Sequence, residues 1–158
     1  MWQKIKPYLV SIVIALGVGG LSALLTRDNM DIYDDIVRPP LSPPSILFPI
    51  VWTVLFILMG IGAAIVFENR KKEPEKVRNA LALYVANLIA NVTWSLLFFN
   101  NRAFLLSFLW ILVLWGIILA MIVSFGKVSK TAALLQIPYL LWVTFAAYLN
   151  LAIYLLNR

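Results

Sequence analysis

The 158-residue chain has no cysteine and no histidine. Their absence excludes disulfides, thiolate nucleophiles, Cys/His zinc sites and His-ligated haem. Catalytic triads that rely on an imidazole base go with them. Charge is also scarce, at 13% Asp, Glu, Lys and Arg, where soluble domains carry about 25%. Residues 7–26, 39–67, 79–101, 103–126 and 131–157 contain no charged residue at all. Ionisable groups within a bilayer mark proton and ion pathways, so their absence argues against proton-coupled antiport and voltage sensing. No metal site and no resident cofactor is expected.

What is present is hydrocarbon. The chain is 63% hydrophobic, with a mean hydropathy of +0.92, and a fold this small leaves too much surface exposed to hide that excess. Each uncharged segment is long enough to cross the apolar core of a bilayer as a helix, which takes about 20 residues. The fold class is therefore all-α: an integral membrane bundle of five transmembrane helices. One domain, 1–158, is expected to hold spans at about 7–26, 44–67, 79–100, 103–126 and 131–156, with a lid-like loop at 27–43. The first span follows Lys4 and Lys6 but exceeds the apolar length of a signal peptide, about 7–15 residues, and is read as retained.

Nine Lys and Arg residues fall on the side of the N-terminus, the 68–78 loop and the 127–130 loop; four (Arg27, Arg38, Arg102, Arg158) fall on the other. The positive-inside bias puts the N-terminus in the cytoplasm and the C-terminus outside, in a multi-pass protein of the plasma membrane. The net charge of +6 then serves topology and attraction to anionic lipid head groups. No nucleic-acid partner is expected.

Neutral polar and aromatic residues are ordered along the spans. Tyr84, Asn87, Asn91 and Trp94 fall within roughly an 80° arc at 100° per residue. Tyr139, Trp142, Ala146, Leu149 and Asn150 form a similar stripe, as do Phe48, Trp52, Phe56, Met59 and Ala63. Such faces can simply pack, with amides bridging helices, and Trp2, Trp110 and Trp115 are read as anchors or packing residues. For Asn91, bridging and ligand contact fit equally. Trp52 and Trp142 together favour a pocket that suits a large, flat, apolar ligand. The pairs Gly19-x-x-x-Ala23 and Gly60-x-x-x-Ala64 permit close helix approach, within the bundle or between subunits.

The connector into the second span holds Pro39, Pro40, Pro43, Pro44 and Pro49 within eleven residues. Proline fixes φ and biases its predecessor towards extended backbone, so this connector is stiff. It is expected to hold the loop over the mouth of the bundle with Tyr33 pointing down, while Ser42 or Ser45 caps the second span.

The segments PPLSPPSILFPIVWTVLFILMG (39–60), NVTWSLLFF (91–99) and QIPYLLWVTFAAYLN (136–150) resemble the tryptophan-rich sensory protein/translocator protein (TspO/MBR) family. The likeness touches all five spans. It implies a five-helix bundle, often a homodimer, that binds porphyrins such as protoporphyrin IX and isoquinoline or benzodiazepine-type ligands. Carried over by position, Trp52, Asn91, Trp94, Trp142, Ala146, Leu149 and Asn150 match the family's motifs. Ala23 and Tyr33 are placed with them less directly, and Phe56, Tyr84 and Asn87 join them from the stripes as expected ligand contacts. Some members promote light- and oxygen-dependent breakdown of protoporphyrin, which implies Trp52 and Trp142 as the catalytic pair, acting as electron donors. Passive translocation or sensing of tetrapyrroles is the alternative. Leu106 stands where many members have Trp, and Leu151 where animal members place Tyr; the second departure argues against sterol binding.

Overall fold

The structure, a computed structural model, describes residues 1–158. It is helical throughout, with no strands. The elements are α1 (Trp2–Thr26), α2 (Ile32–Asp35), α3 (Leu47–Glu68), α4 (Pro74–Ser95), α5 (Phe104–Gly126), α6 (Lys130–Leu134) and α7 (Ile137–Leu156). Five of the helical segments are long and apolar enough to cross a membrane, α6 and α7 together making the fifth.

Several boundaries differ from the sequence reading. The second span begins at Leu47 rather than 44, because Pro44 and Ser45 form a separate turn closed by Leu47 N–H to Pro44 O at 2.9 Å. Neither serine caps it: the Ser42 hydroxyl donates to Pro39 O at 2.8 Å, and α3 has no side-chain cap. Pro49 stands third in α3, where a missing N–H costs nothing because no intrahelical acceptor exists there. The third span starts earlier, with Pro74 opening α4 and an ion pair between Lys76 and Glu73 at 2.6 Å alongside. Its far end widens into a π turn over Leu96–Asn100. The last span breaks at Leu135–Gln136. Pro138 has no N–H to bond the carbonyl of residue 134 and its ring would crowd that carbonyl, so α6 ends there and α7 starts again.

The long helices stand in a ring. α1 packs tightly on α3 and touches α4; α4 packs on α5, and α5 on α7. The α1–α3 approach uses the glycine of each small-residue pair internally. A Cβ at Gly60 would lie 2.7 Å from the Ile12 Cα, and one at Gly19 would meet the Phe56 ring. The Ser11 hydroxyl donates across this contact to Gly60 O at 2.7 Å. Gly17 and Gly20, by contrast, face open space. At the lysine-rich end α6 leans on α3 and closes the ring. Towards the other end, aromatic rings span the gap between α3 and α7.

Candidate ligand-binding site

Residues 27–46 lie across one end of the ring as a strap. Its α2 turn buries Ile32 completely and sets the half-buried Tyr33 ring 5.2 Å from Phe48 and 6.4 Å from Phe98. Beyond it, Pro39 to Ser42 make a tight turn with Leu41 at φ 68°. Pro40 presets the turn, and Leu41 occupies the left-handed position that glycine usually fills. The strap is fastened at both ends. Val37 N–H donates to Asn157 Oδ1 at 2.9 Å, and Asn157 Nδ2 donates back to Val37 O at 3.1 Å. The Tyr148 hydroxyl donates to Pro40 O at 2.9 Å. Arg102 pairs with Asp35 at 3.1 Å, and Asn29 Nδ2 donates to Asn100 Oδ1 at 3.0 Å. The acidic stretch is thus part of the fastening: Arg38 bridges Asp34 at 2.8 Å and the Tyr33 carbonyl at 2.7 Å. Burial pushes the Tyr33 phenol up to about 12, against the opposing pull of the Arg38 charge.

Beneath the strap lies a cavity of about 20 Å³, room for little more than one water. Tyr33 roofs it; Phe48 and Trp52 come from α3, Trp94 and Phe98 from the α4 end, and Trp142, Ala146, Leu149, Asn150 and Ile153 from α7. No Lys, Arg, Asp or Glu lines it. The rings around it are drawn together. Two of the polar groups are already committed. Trp94 Nε1 donates to Asn150 Oδ1 at 3.0 Å, and Asn150 Nδ2 donates to Phe104 O at 2.8 Å. Trp142 Nε1 is buried with no acceptor. An indole N–H can only donate, so it is a donor left open for an oxygen.

Four of the expected contacts sit deeper. The fully buried Tyr139 lies edge-on to Trp52, with centroids 6.1 Å apart. Its hydroxyl donates to Asn87 Oδ1 at 2.6 Å and accepts from Asn91 Nδ2 at 2.9 Å. Asn87 Nδ2 in turn points at Met59 Sδ, 3.6 Å away, and Tyr84 packs on Phe125. Asn87, Asn91 and Tyr84 therefore bind α4 to its neighbours below the cavity, and Phe56 supports Trp52 from 5.9 Å. The reason is depth. Residues on one helical face rise about 1.5 Å each, so Tyr84 lies about 15 Å along α4 from Trp94 although both share an arc. Ala23 is exposed on the outer side of α1.

Of the expected contacts, Tyr33, Trp52, Trp94, Trp142, Ala146, Leu149 and Asn150 are brought together. Phe98, Ile153 and Phe48 complete the lining. Phe48 carried a signal, since it stands four residues before Trp52 in the same stripe. Ile153 likewise continues the α7 stripe, three residues beyond Asn150. Phe98 also continues the α4 stripe, four residues beyond Trp94 and within the same arc at 100° per residue. Of the other indoles, Trp110 donates to Ala90 O and Trp115 to Thr144 Oγ1, both at 2.9 Å, bracing α5.

Comparison with known sequences gives a consistent likeness. The profile of the TspO/MBR family matches residues 10–156. The tryptophan-rich protein TspO of Chlorobaculum tepidum is 38% identical over 94% of this chain and 92% of its own. Protein CrtK of Rhodobacter capsulatus is 34% identical over 79% of this chain and 78% of its own. The translocator protein of Ovis aries is 32% identical over 75% and 70%.

Proposed function

The chain belongs to the TspO/MBR family of integral membrane proteins, and we propose that its aromatic cavity binds a planar tetrapyrrole such as protoporphyrin IX. One observation carries the reading: indole and phenyl rings from the strap, α3, α4 and α7 converge on a space lacking charged groups, with Trp142 Nε1 unpaired at its wall. Stacking on Trp52 and Trp142 selects flat rings. The free indole N–H selects an acceptor oxygen, as a carboxylate or amide carbonyl provides. Isoquinoline and benzodiazepine-type amides, which are smaller aromatic compounds carrying an acceptor oxygen, belong to the same reading. At about 20 Å³, the cavity is far smaller than small-molecule sites, roughly 300–1,000 Å³. A tetrapyrrole therefore requires the rings to part.

Trp52 and Trp142 would serve as relays: an indole gives an electron to the light-excited macrocycle, and the reduced macrocycle passes it to dioxygen. The indole radical recovers an electron from the macrocycle, and the superoxide formed adds to the macrocycle radical cation, so that one dioxygen is consumed and the indole is restored. Light-dependent breakdown of the bound porphyrin is accordingly the chemistry proposed, with carriage or sensing as the reading that stands if illumination changes nothing. A homodimer in the plasma membrane with the lysine-rich end in the cytoplasm belongs to the same proposal. The charge bias and the open α1 face at Gly17 and Gly20 support it.

The test is a Soret-band titration in detergent or lipid discs, followed by illumination. The reading expects a saturable shift, weakened in Trp52→Phe and Trp142→Phe, and a new absorbing product that the two variants form more slowly. No saturable shift in the unaltered chain would end the binding proposal. Spectra unchanged by light would leave binding and remove the chemistry.

A further inference from the structure

We propose that the cavity is loaded sideways from the bilayer, through the seam between α3 and α7 on the strap side, with Phe48 and Trp142 as its gate. The ligand it admits is a planar, apolar ring compound dissolved in that leaflet. This rests on the reading of the cavity as a ligand site.

The weakest seam in the ring lies between α3 and α7. α1 with α3, α4 with α5, and α5 with α7 are closely packed and α1 touches α4, whereas α3 reaches the last span by backbone packing chiefly through α6, at the lysine-rich end. There Gln136, completely buried, donates from Nε2 to Leu58 O at 3.3 Å and ties the two spans together. Towards the strap the closure is made of rings: Phe48 meets Trp142 edge-on at 5.8 Å, and Trp52 meets Tyr139 at 6.1 Å. Phe48 and Trp142 are only half-buried. Their neighbours Ile46 and Leu141 are 68% and 65% exposed, so the seam borders lipid.

The route through the strap is harder. Opening it breaks the paired bonds between Val37 and Asn157, the Tyr148–Pro40 bond and the Arg102–Asp35 ion pair, and lifts the buried Ile32. Opening the seam breaks no hydrogen bond between α3 and α7 above Gln136; two rings turn aside. The break before Pro138 supplies a pivot. A flat apolar compound is also concentrated in the bilayer by partition, so the side route meets more of it than the aqueous mouth does.

The chain has no cysteine, so a Val37→Cys/Asn157→Cys pair can lock the strap with a single disulfide. Protoporphyrin IX is mixed with the protein in phosphatidylcholine vesicles, and quenching of tryptophan fluorescence is followed by stopped flow before and after reduction. The proposal expects the locked and reduced forms to load at rates within about threefold of each other. A larger slowing on locking, reversed by reductant, overturns it. In Phe48→Ala the on-rate should rise severalfold; a faster off-rate with an unchanged on-rate means that Phe48 only lines the cavity, and overturns the gate. Should the disulfide not form, Asn157→Ala replaces it: loading within about threefold of the parent supports the seam, and faster loading than that assigns the route to the strap. Absence of saturable quenching in the unaltered chain overturns the binding reading and the route together, whereas normal equilibrium quenching with lock-sensitive rates overturns the route alone.

Discussion

Trp94 and Asn150 are joined side chain to side chain, indole Nε1 to amide Oδ1 at 3.0 Å, across the gap between α4 and α7. Asn150 uses its remaining donor on the Phe104 carbonyl at 2.8 Å. One amide thus fixes three elements around the cavity. Asn150→Leu leaves the Trp94 N–H without a partner in an apolar site, while the Phe104 carbonyl keeps the Ser107 hydroxyl at 3.0 Å. An unmet buried group costs about 1–3 kcal/mol, so thermal unfolding in detergent should come several degrees lower. A melting temperature equal to the parent's contradicts the bracing role.

Trp142 should behave in the opposite way. Its N–H has no partner to lose, so Trp142→Phe is expected to change stability by less than about 1 kcal/mol. Affinity for a ligand with an acceptor oxygen should fall by roughly tenfold, the worth of about one hydrogen bond and some stacking. Parallel melting and Soret titrations check both halves.

Gly62 is a position of close approach. A Cβ there collides with Gln136 Nε2, which is held between Leu58 O and Ala132 O. Gly62→Ala should destabilise by about 1–3 kcal/mol through overpacking. Gly17→Ala and Gly20→Ala enter open space and should be tolerated in the monomer. Thermal melts of the three variants rank the sites.

The strap has a pH signature. Tyr33 titrates near 12 in the folded chain and near 10 when unfolded. The folded state therefore holds its proton more tightly, and that contribution is complete below pH 10 and lost as pH rises towards 12. Ligand off-rates should be flat from pH 7 to 10 and rise above it, with the rise absent in Tyr33→Phe. Off-rates already climbing between pH 8 and 9 contradict this assignment.

Much of this was legible in the sequence because lipid imposes simple rules. A bilayer demands about 20 apolar residues per span, so the five spans and the faces of Trp52, Trp94 and Trp142 could be read from charge gaps and 3.6-residue spacing. Depth along a helix could not, since Tyr84, Asn87 and Asn91 share an arc with Trp94, but below the cavity Asn87 and Asn91 bond Tyr139 and Tyr84 packs on Phe125. Nor could the strap's fastening, which depends on a contact between Val37 and Asn157, 120 positions apart. The Pro138 break was legible in principle, because proline cannot continue a helix of this geometry.

The most direct test is a structure determined with protoporphyrin IX bound in lipid. The account predicts the macrocycle under Tyr33, between the Trp52 and Trp142 rings, with one propionate or other oxygen facing Trp142 Nε1 and α3 displaced from α7. A macrocycle lying on the outer surface of the bundle, with these rings still closed on one another, contradicts it.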